Sequence, residues 1–148
     1  MPKMAVRGIN LHYLQRGTGR PVLCLPGALG TGMTDFGPQL ETWSANLRVI
    51  APDPRGCGDS RPPSRDFPHE FFRRDADDMA ALMTALGHER FLLAGWSDGA
   101  NSAALLASAY PERVGRLVIW GGNSYSPRAR GSSAPFANCL ARQSWQRG

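Results

Sequence analysis

Reactive chemistry in this sequence concentrates at one serine. Gly95-Trp96-Ser97-Asp98-Gly99 sets a hydroxyl between glycines two positions away on either side. G-x-S-x-G alone is a weak signal, because glycine and serine are common. Here the apolar run Phe91–Ala94 precedes it and the small-residue stretch Ala100–Tyr110 follows at once. Strand, sharp turn and helix are the context that holds a serine on a strained turn with its hydroxyl exposed. Small flanking residues let the two backbones approach. A helix that begins after Ser97 aims N–H groups and a positive dipole end at charge developing near the hydroxyl. The chemistry would be nucleophilic attack. The competing reading is an ordinary turn whose serine caps the helix.

Two further motifs flank it. Leu25-Pro26-Gly27-Ala28-Leu29-Gly30 leaves a buried strand, and such a glycine-rich loop can supply a second backbone donor facing the serine. Asp53-Pro54-Arg55-Gly56-Cys57-Gly58-Asp59-Ser60 ends the next strand and reads as a brace outside the chemistry. A dinucleotide site is the rival reading of the first loop. However, Gly27-Ala28-Leu29-Gly30-Thr31-Gly32 runs the phosphate-binding fingerprint in reverse. No cofactor and no metal is expected.

The elements that must position these motifs follow from periodicity. Ile9–Gln15 alternates and stops at Arg16-Gly17-Thr18-Gly19. Val22–Leu25 and Arg48–Ala51 are short continuous apolar runs, as in central strands buried on both faces. Between them Phe36, Leu40, Trp43 and Leu47 recur at helical spacing, with Thr34 and Asp35 as caps. Phe72, Ala76, Met79, Met83 and Leu86 form a second apolar stripe, with Asp75, Asp77 and Asp78 mostly on other faces. Phe91–Gly95, a helix over Ala100–Tyr110 and Val114–Trp120 complete the order. The expected fold class is α/β, a mostly parallel central sheet with helices on both faces.

Taken together, the three motifs resemble the α/β-hydrolase superfamily. Thr34–Leu40, Asp53–Gly56, Ser60–Pro63, Arg65–Pro68, Gly95–Gly99 and Val118–Gly121 are similar to its biphenyl hydrolase-like family, serine hydrolases of α-amino-acid esters. The resemblance spans about residues 4–125. It implies Ser97 as nucleophile and the N–H groups of Leu29 and Asp98 as the oxyanion hole, with Ala28 as a substitute for Leu29. It also implies that the Asp98 carboxylate receives the substrate ammonium, which would discriminate against neutral esters.

That family is about twice as long and takes its catalytic acid and base from its second half. No Asp, Glu or His follows Glu112 here, so the order Ser, Asp, His cannot be completed. His12, His69 and His88 all precede Ser97 and read as surface or turn residues. The expectation is therefore a truncated α/β-hydrolase fold with weak or no activity alone. The alternative is a non-catalytic truncated or alternatively spliced product.

Composition bounds the rest. The 148 residues are 42% hydrophobic and 20% charged, enough for one domain with a core and too ordered in pattern for global disorder. Cys24, Cys57 and Cys139 form no metal or disulfide framework. The net charge of +5 is uneven: residues 126–148 hold four arginines and no acid. Residues 1–125 are thus expected as half a hydrolase domain and 126–148 as a basic disordered tail. The expected partner is a small-molecule ester, without nucleic acid or membrane. Self-association is expected through Leu117–Trp120, an uncharged sheet edge. No targeting segment is visible, which leaves a cytoplasmic or mitochondrial location.

Overall fold

The structure is a computed structural model and describes residues 2–123. The expected tail at 126–148 and the boundary at 125 lie outside the described residues.

Six strands form one sheet: β1 (Lys3–Val6), β2 (Ile9–Arg16), β3 (Arg20–Leu25), β4 (Leu47–Pro52), β5 (Phe91–Trp96) and β6 (Val114–Trp120). Their spatial order is β1-β2-β4-β3-β5-β6. β1 and β2 pair antiparallel, and β2 pairs antiparallel with β4. The remaining pairs, β4–β3, β3–β5 and β5–β6, are parallel. The order reverses around β3, so the loops leaving β3 and β5 open on opposite sides of one crevice, where α/β sheets bind ligands.

Helix α1 (Gly32–Thr42) covers one face, and α2 (Phe71–Ala85) and α3 (Asp98–Ala109) pack together on the other. Two clusters explain the unbroken apolar runs. Val22, Cys24, Val49, Ala51 and Ala94 join Phe36 and Leu40 of α1. Leu23, Leu25, Ile50, Phe91 and Leu93 join Ala76, Met79, Met83, Ala103 and Leu106 of α2 and α3. Each central strand sends alternate side chains into opposite clusters, so a position of either parity must be apolar.

Three details differ from the sequence reading. Helix α1 starts earlier, with Thr31 rather than Thr34 or Asp35 as N-cap. Thr34 N–H donates to the Thr31 hydroxyl at 3.1 Å, and Thr31 N–H donates to Thr34 Oγ1 at 2.8 Å. This is a capping box in which Thr takes the usual Glu position. The helix also ends before the apolar stripe does: Trp43 sits in a 3-10 turn and Leu47 opens β4. Finally, Asp75 and Asp78 of α2 are buried. The loop after β4 delivers their counter-ions. Arg65 meets Asp75 at 2.7 and 3.0 Å, and Arg55 meets Asp78 at 2.7 and 2.8 Å. A buried carboxylate is tolerable only with such bidentate partners.

Candidate active site

The turn from β5 to α3 is held in a conformation that L-residues avoid. Ser97 has φ +54° and ψ −123°. Non-glycine residues in such regions cost about 1–3 kcal/mol and persist only where surroundings force them. Here the forcing is visible. A Cβ on Gly95 would lie 2.6 Å from the Gly99 carbonyl oxygen and 2.8 Å from Ala100 Cα. A Cβ on Gly99 would overlap the carbonyl oxygens of Leu25 and Pro26. Helix α3 therefore presses on β3 and β5 with no room for side chains. Ser97 N–H donates to the Trp120 carbonyl at 3.0 Å, which straps the turn to β6.

Ser97 does not cap α3. Its side chain makes no capping hydrogen bond, so the hydroxyl is uncommitted and half-exposed. Asp98 N–H lies in the first turn of α3, where backbone donors have no helical acceptor.

The loop after β3 packs against this turn: a Cβ on Gly27 would be 3.3 Å from Ser97 Cβ. Two of its N–H groups are occupied. Gly27 N–H donates to Asp35 Oδ2 at 2.8 Å, and Gly30 N–H donates to the Gly27 carbonyl at 3.2 Å. Ala28 and Leu29 N–H groups take part in no hydrogen bond among the described residues, and the Leu29 side chain is 77% exposed. Asp35 thus braces the donor loop instead of capping α1. The signal for this was Gly30, whose missing side chain makes space for the Asp35 carboxylate.

Asp53 braces from the other side. Its carboxylate accepts Gly32 N–H at 3.0 Å and Asp59 N–H at 2.9 Å, and pairs with His12 Nδ1 at 2.9 Å. Ser60 Oγ accepts His12 N–H at 2.8 Å and donates to the Asp53 carbonyl at 2.7 Å. His12 is therefore a buried strut and not a surface histidine, which corrects the sequence reading. Position within an alternating strand could not show that Asp53 would come to meet it. His12, Asp53 and Asp59 bring donor atoms within 4.8 Å of one another, the one such group among the described residues. Three N–H donors already occupy the Asp53 carboxylate, so the arrangement is a hydrogen-bonded brace.

None of the three histidines hydrogen-bonds to Ser97. His12 lies three strand spacings from β5, about 14 Å at the usual separation. His69 is exposed and pairs with Glu70 at 3.1 Å. His88 lies in the turn before β5, at the end of the strand opposite Ser97. Burial and, secondarily, the Arg48 charge lower its pKa.

The Asp98 carboxyl is pushed up by partial burial, lowered by Arg65 and raised further by Asp75. It has no hydrogen-bond partner among the described residues and stands beside Ser97. The buried cysteines are unsuited to nucleophilic work. Burial raises Cys24 to about 12, and burial also raises Cys57, so both are neutral thiols near pH 7.

The sequence profile of the alpha/beta hydrolase fold matches residues 20–138. Serine hydrolase BPHL of Homo sapiens is 54% identical over 125 residues, which are 83% of this chain and 43% of that protein. Its Mus musculus counterpart is 50% identical over the same shares. The chain spans less than half the length of the curated relatives it matches. Among solved structures, the meta-cleavage product hydrolase CumD of Pseudomonas fluorescens IP01 is similar with a TM-score of 0.74 at 28% identity. That match covers 84% of this chain and 46% of CumD. Sheet order, elbow geometry and these matches converge, and the chain belongs to the α/β-hydrolase fold family.

Proposed function

We propose that this chain carries the nucleophile half of a serine hydrolase acting on α-amino-acid esters. Ser97 Oγ attacks the ester carbonyl. The developing oxyanion is received by Asp98 N–H and by Leu29 N–H, with Ala28 N–H as the alternative donor. The Asp98 carboxylate pairs with the substrate ammonium, one carbon from the carbonyl under attack. The observation that carries this reading is the forced backbone of Ser97, with its side chain left uncommitted beside unused N–H donors. Similarity to serine hydrolases supports hydrolysis as the general activity.

The base and acid of the triad belong to the second half of such enzymes, and no histidine here contacts Ser97. The chain alone is therefore slow. Binding and an oxyanion hole without a base leave about 10³–10⁴-fold over water. A non-catalytic role is the second reading, favoured by the placement of all three histidines. Self-association belongs to the same proposal: β6 is an edge strand among the described residues, and Val118, Ile119 and Trp120 are exposed.

A comparison of p-nitrophenyl esters of valine and N-acetylvaline tests the reading. The free-amine ester is expected to react faster, Ser97→Ala to abolish both reactions, and Asp98→Asn to remove the preference. Equal reactivity of the two esters in the unaltered chain would remove the role of Asp98. Activity in Ser97→Ala within tenfold of the unaltered chain would remove the nucleophile.

A further inference from the structure

Arginine is treated unequally across the molecule. Arg7, Arg16, Arg55, Arg65, Arg73 and Arg74 all meet carboxylates. At the N-terminal ends of the parallel strands they do not. Arg20 opens β3, and Arg90 immediately precedes the neighbouring parallel strand β5. Arg116 of β6 stands opposite Leu92. Val22, Cys24 and Ala94 face the α1 side, and the two-residue period of a strand puts Arg20 on that face too. None of the three guanidinium groups has a carboxylate within 4 Å among the described residues.

Arg20 and Arg90 line one cleft of about 380 Å³, together with Pro21, Phe91 and Gly115. Gly115 gives the Arg20 guanidinium its space, since a Cβ there would lie 3.3 Å from Nη2. Arg113 fixes the approach to Arg90 without competing for its ligand. It donates to the carbonyls of Glu89 at 3.0 Å and His88 at 3.1 Å, and stacks on Phe91 at 5.4 Å. Glu89 and Glu112 line an adjoining cleft of about 550 Å³ together with Arg90 and Arg113, and pair with no arginine among the described residues.

Residues 124–148 contain four arginines and no acid and so add no counter-charge. A second copy presenting the same face would bring the same arginines. We propose that the Arg20–Arg90 cleft, flanked by Arg116, is a binding site for a phosphate-type oxyanion, free or as the phosphate group of a small monoester. Two planar guanidinium forks suit the tetrahedral oxygens of phosphate. The cleft is larger than one phosphate group, which leaves room for the rest of a monoester.

Equilibrium dialysis of the full chain against radiolabelled inorganic phosphate, with ionic strength held constant by chloride, tests this. One saturable site per chain is expected. Arg20→Met and Arg90→Met should each weaken it at least tenfold, while Arg73→Gln, on α2, should leave it unchanged. Arg20→Lys and Arg90→Lys keep the charge but lose the fork, and should bind at intermediate strength, which separates loss of site from loss of fold. Displacement of the label by phenyl phosphate would assign the cleft to monoesters, and failure to displace it would assign it to the free anion. Uptake that is non-saturable, or equal in the Arg20→Met/Arg90→Met double variant, would overturn the proposal.

Discussion

The two ends of the parallel strands handle positive charge in opposite ways. At the C-terminal end, Arg55 and Arg65 are consumed by the buried acids of α2, Arg61 donates to the Gly56 carbonyl, and unused backbone N–H donors lie beside Ser97. At the N-terminal end, Arg20, Arg90 and Arg116 have no carboxylate within 4 Å among the described residues. The difference matches what each end would bind. A charge that develops only in a transition state is best met by fixed dipoles that need no reorganisation. A stable oxyanion is better held by full charges. Glycine follows the same division. Gly95 and Gly99 sit where no side chain fits, whereas a Cβ on Gly115 would meet a flexible guanidinium at 3.3 Å and its other neighbours at ordinary contact distance.

Removing one arginine from each end should give the largest contrast. Arg65→Met leaves Asp75 buried without its partner, both side chains being under 10% exposed. Breaking such a pair costs about 3–5 kcal/mol. Arg90→Met breaks no ion pair and should leave stability unchanged in phosphate-free buffer. Urea unfolding of both variants measures this, and equal losses would erase the distinction between the ends.

Glycine replacement should give the next largest effect. Gly99→Ala drives a methyl group into the carbonyls of Leu25 and Pro26 and should cost about 3 kcal/mol, because backbone and not side chain must move. Gly115→Ala should change stability by less than about 1 kcal/mol in either direction. Thermal midpoints in one buffer compare them directly.

A smaller effect should appear as pH dependence. Burial raises the Asp98 carboxyl, Arg65 opposes this and Asp75 adds to it. In the window between the ordinary carboxylate pKa and the raised one, the folded state holds a proton that the unfolded chain has released. Stability from this group is therefore present at low pH and lost as pH rises through the folded pKa. Asp98→Asn should flatten that part of the stability curve. A steeper curve in the variant would show that Asp98 is stabilised as a carboxylate.

Much of the C-terminal end was legible from sequence, because its signals are local. Gly95 and Gly99 bracket Ser97, and the apolar runs before each loop mark β3, β4 and β5. What escaped depends on contacts between distant residues. His12 alternates as an outward residue should, yet Asp53 arrives from 41 positions away and buries it. Asp75 and Asp78 look solvated on a helical wheel, and only the loop that brings Arg65 and Arg55 over α2 makes them interior. The end of α1 was misread for a different reason: Trp43 and Leu47 continue its spacing by coincidence, after a 3-10 turn has redirected the chain. The arginine cluster was invisible because it arises from pairing between strands, which sequence spacing does not encode.

The central claim is that the forced turn presents Ser97 as a nucleophile. Incubation of the folded chain with a fluorophosphonate, followed by intact mass and peptide mapping, tests it most directly. One adduct per chain is expected, located at Ser97, retained in Asp98→Asn and absent from Ser97→Ala. Modification at another residue with Ser97 untouched, or no modification after a control serine hydrolase is fully labelled, would contradict it.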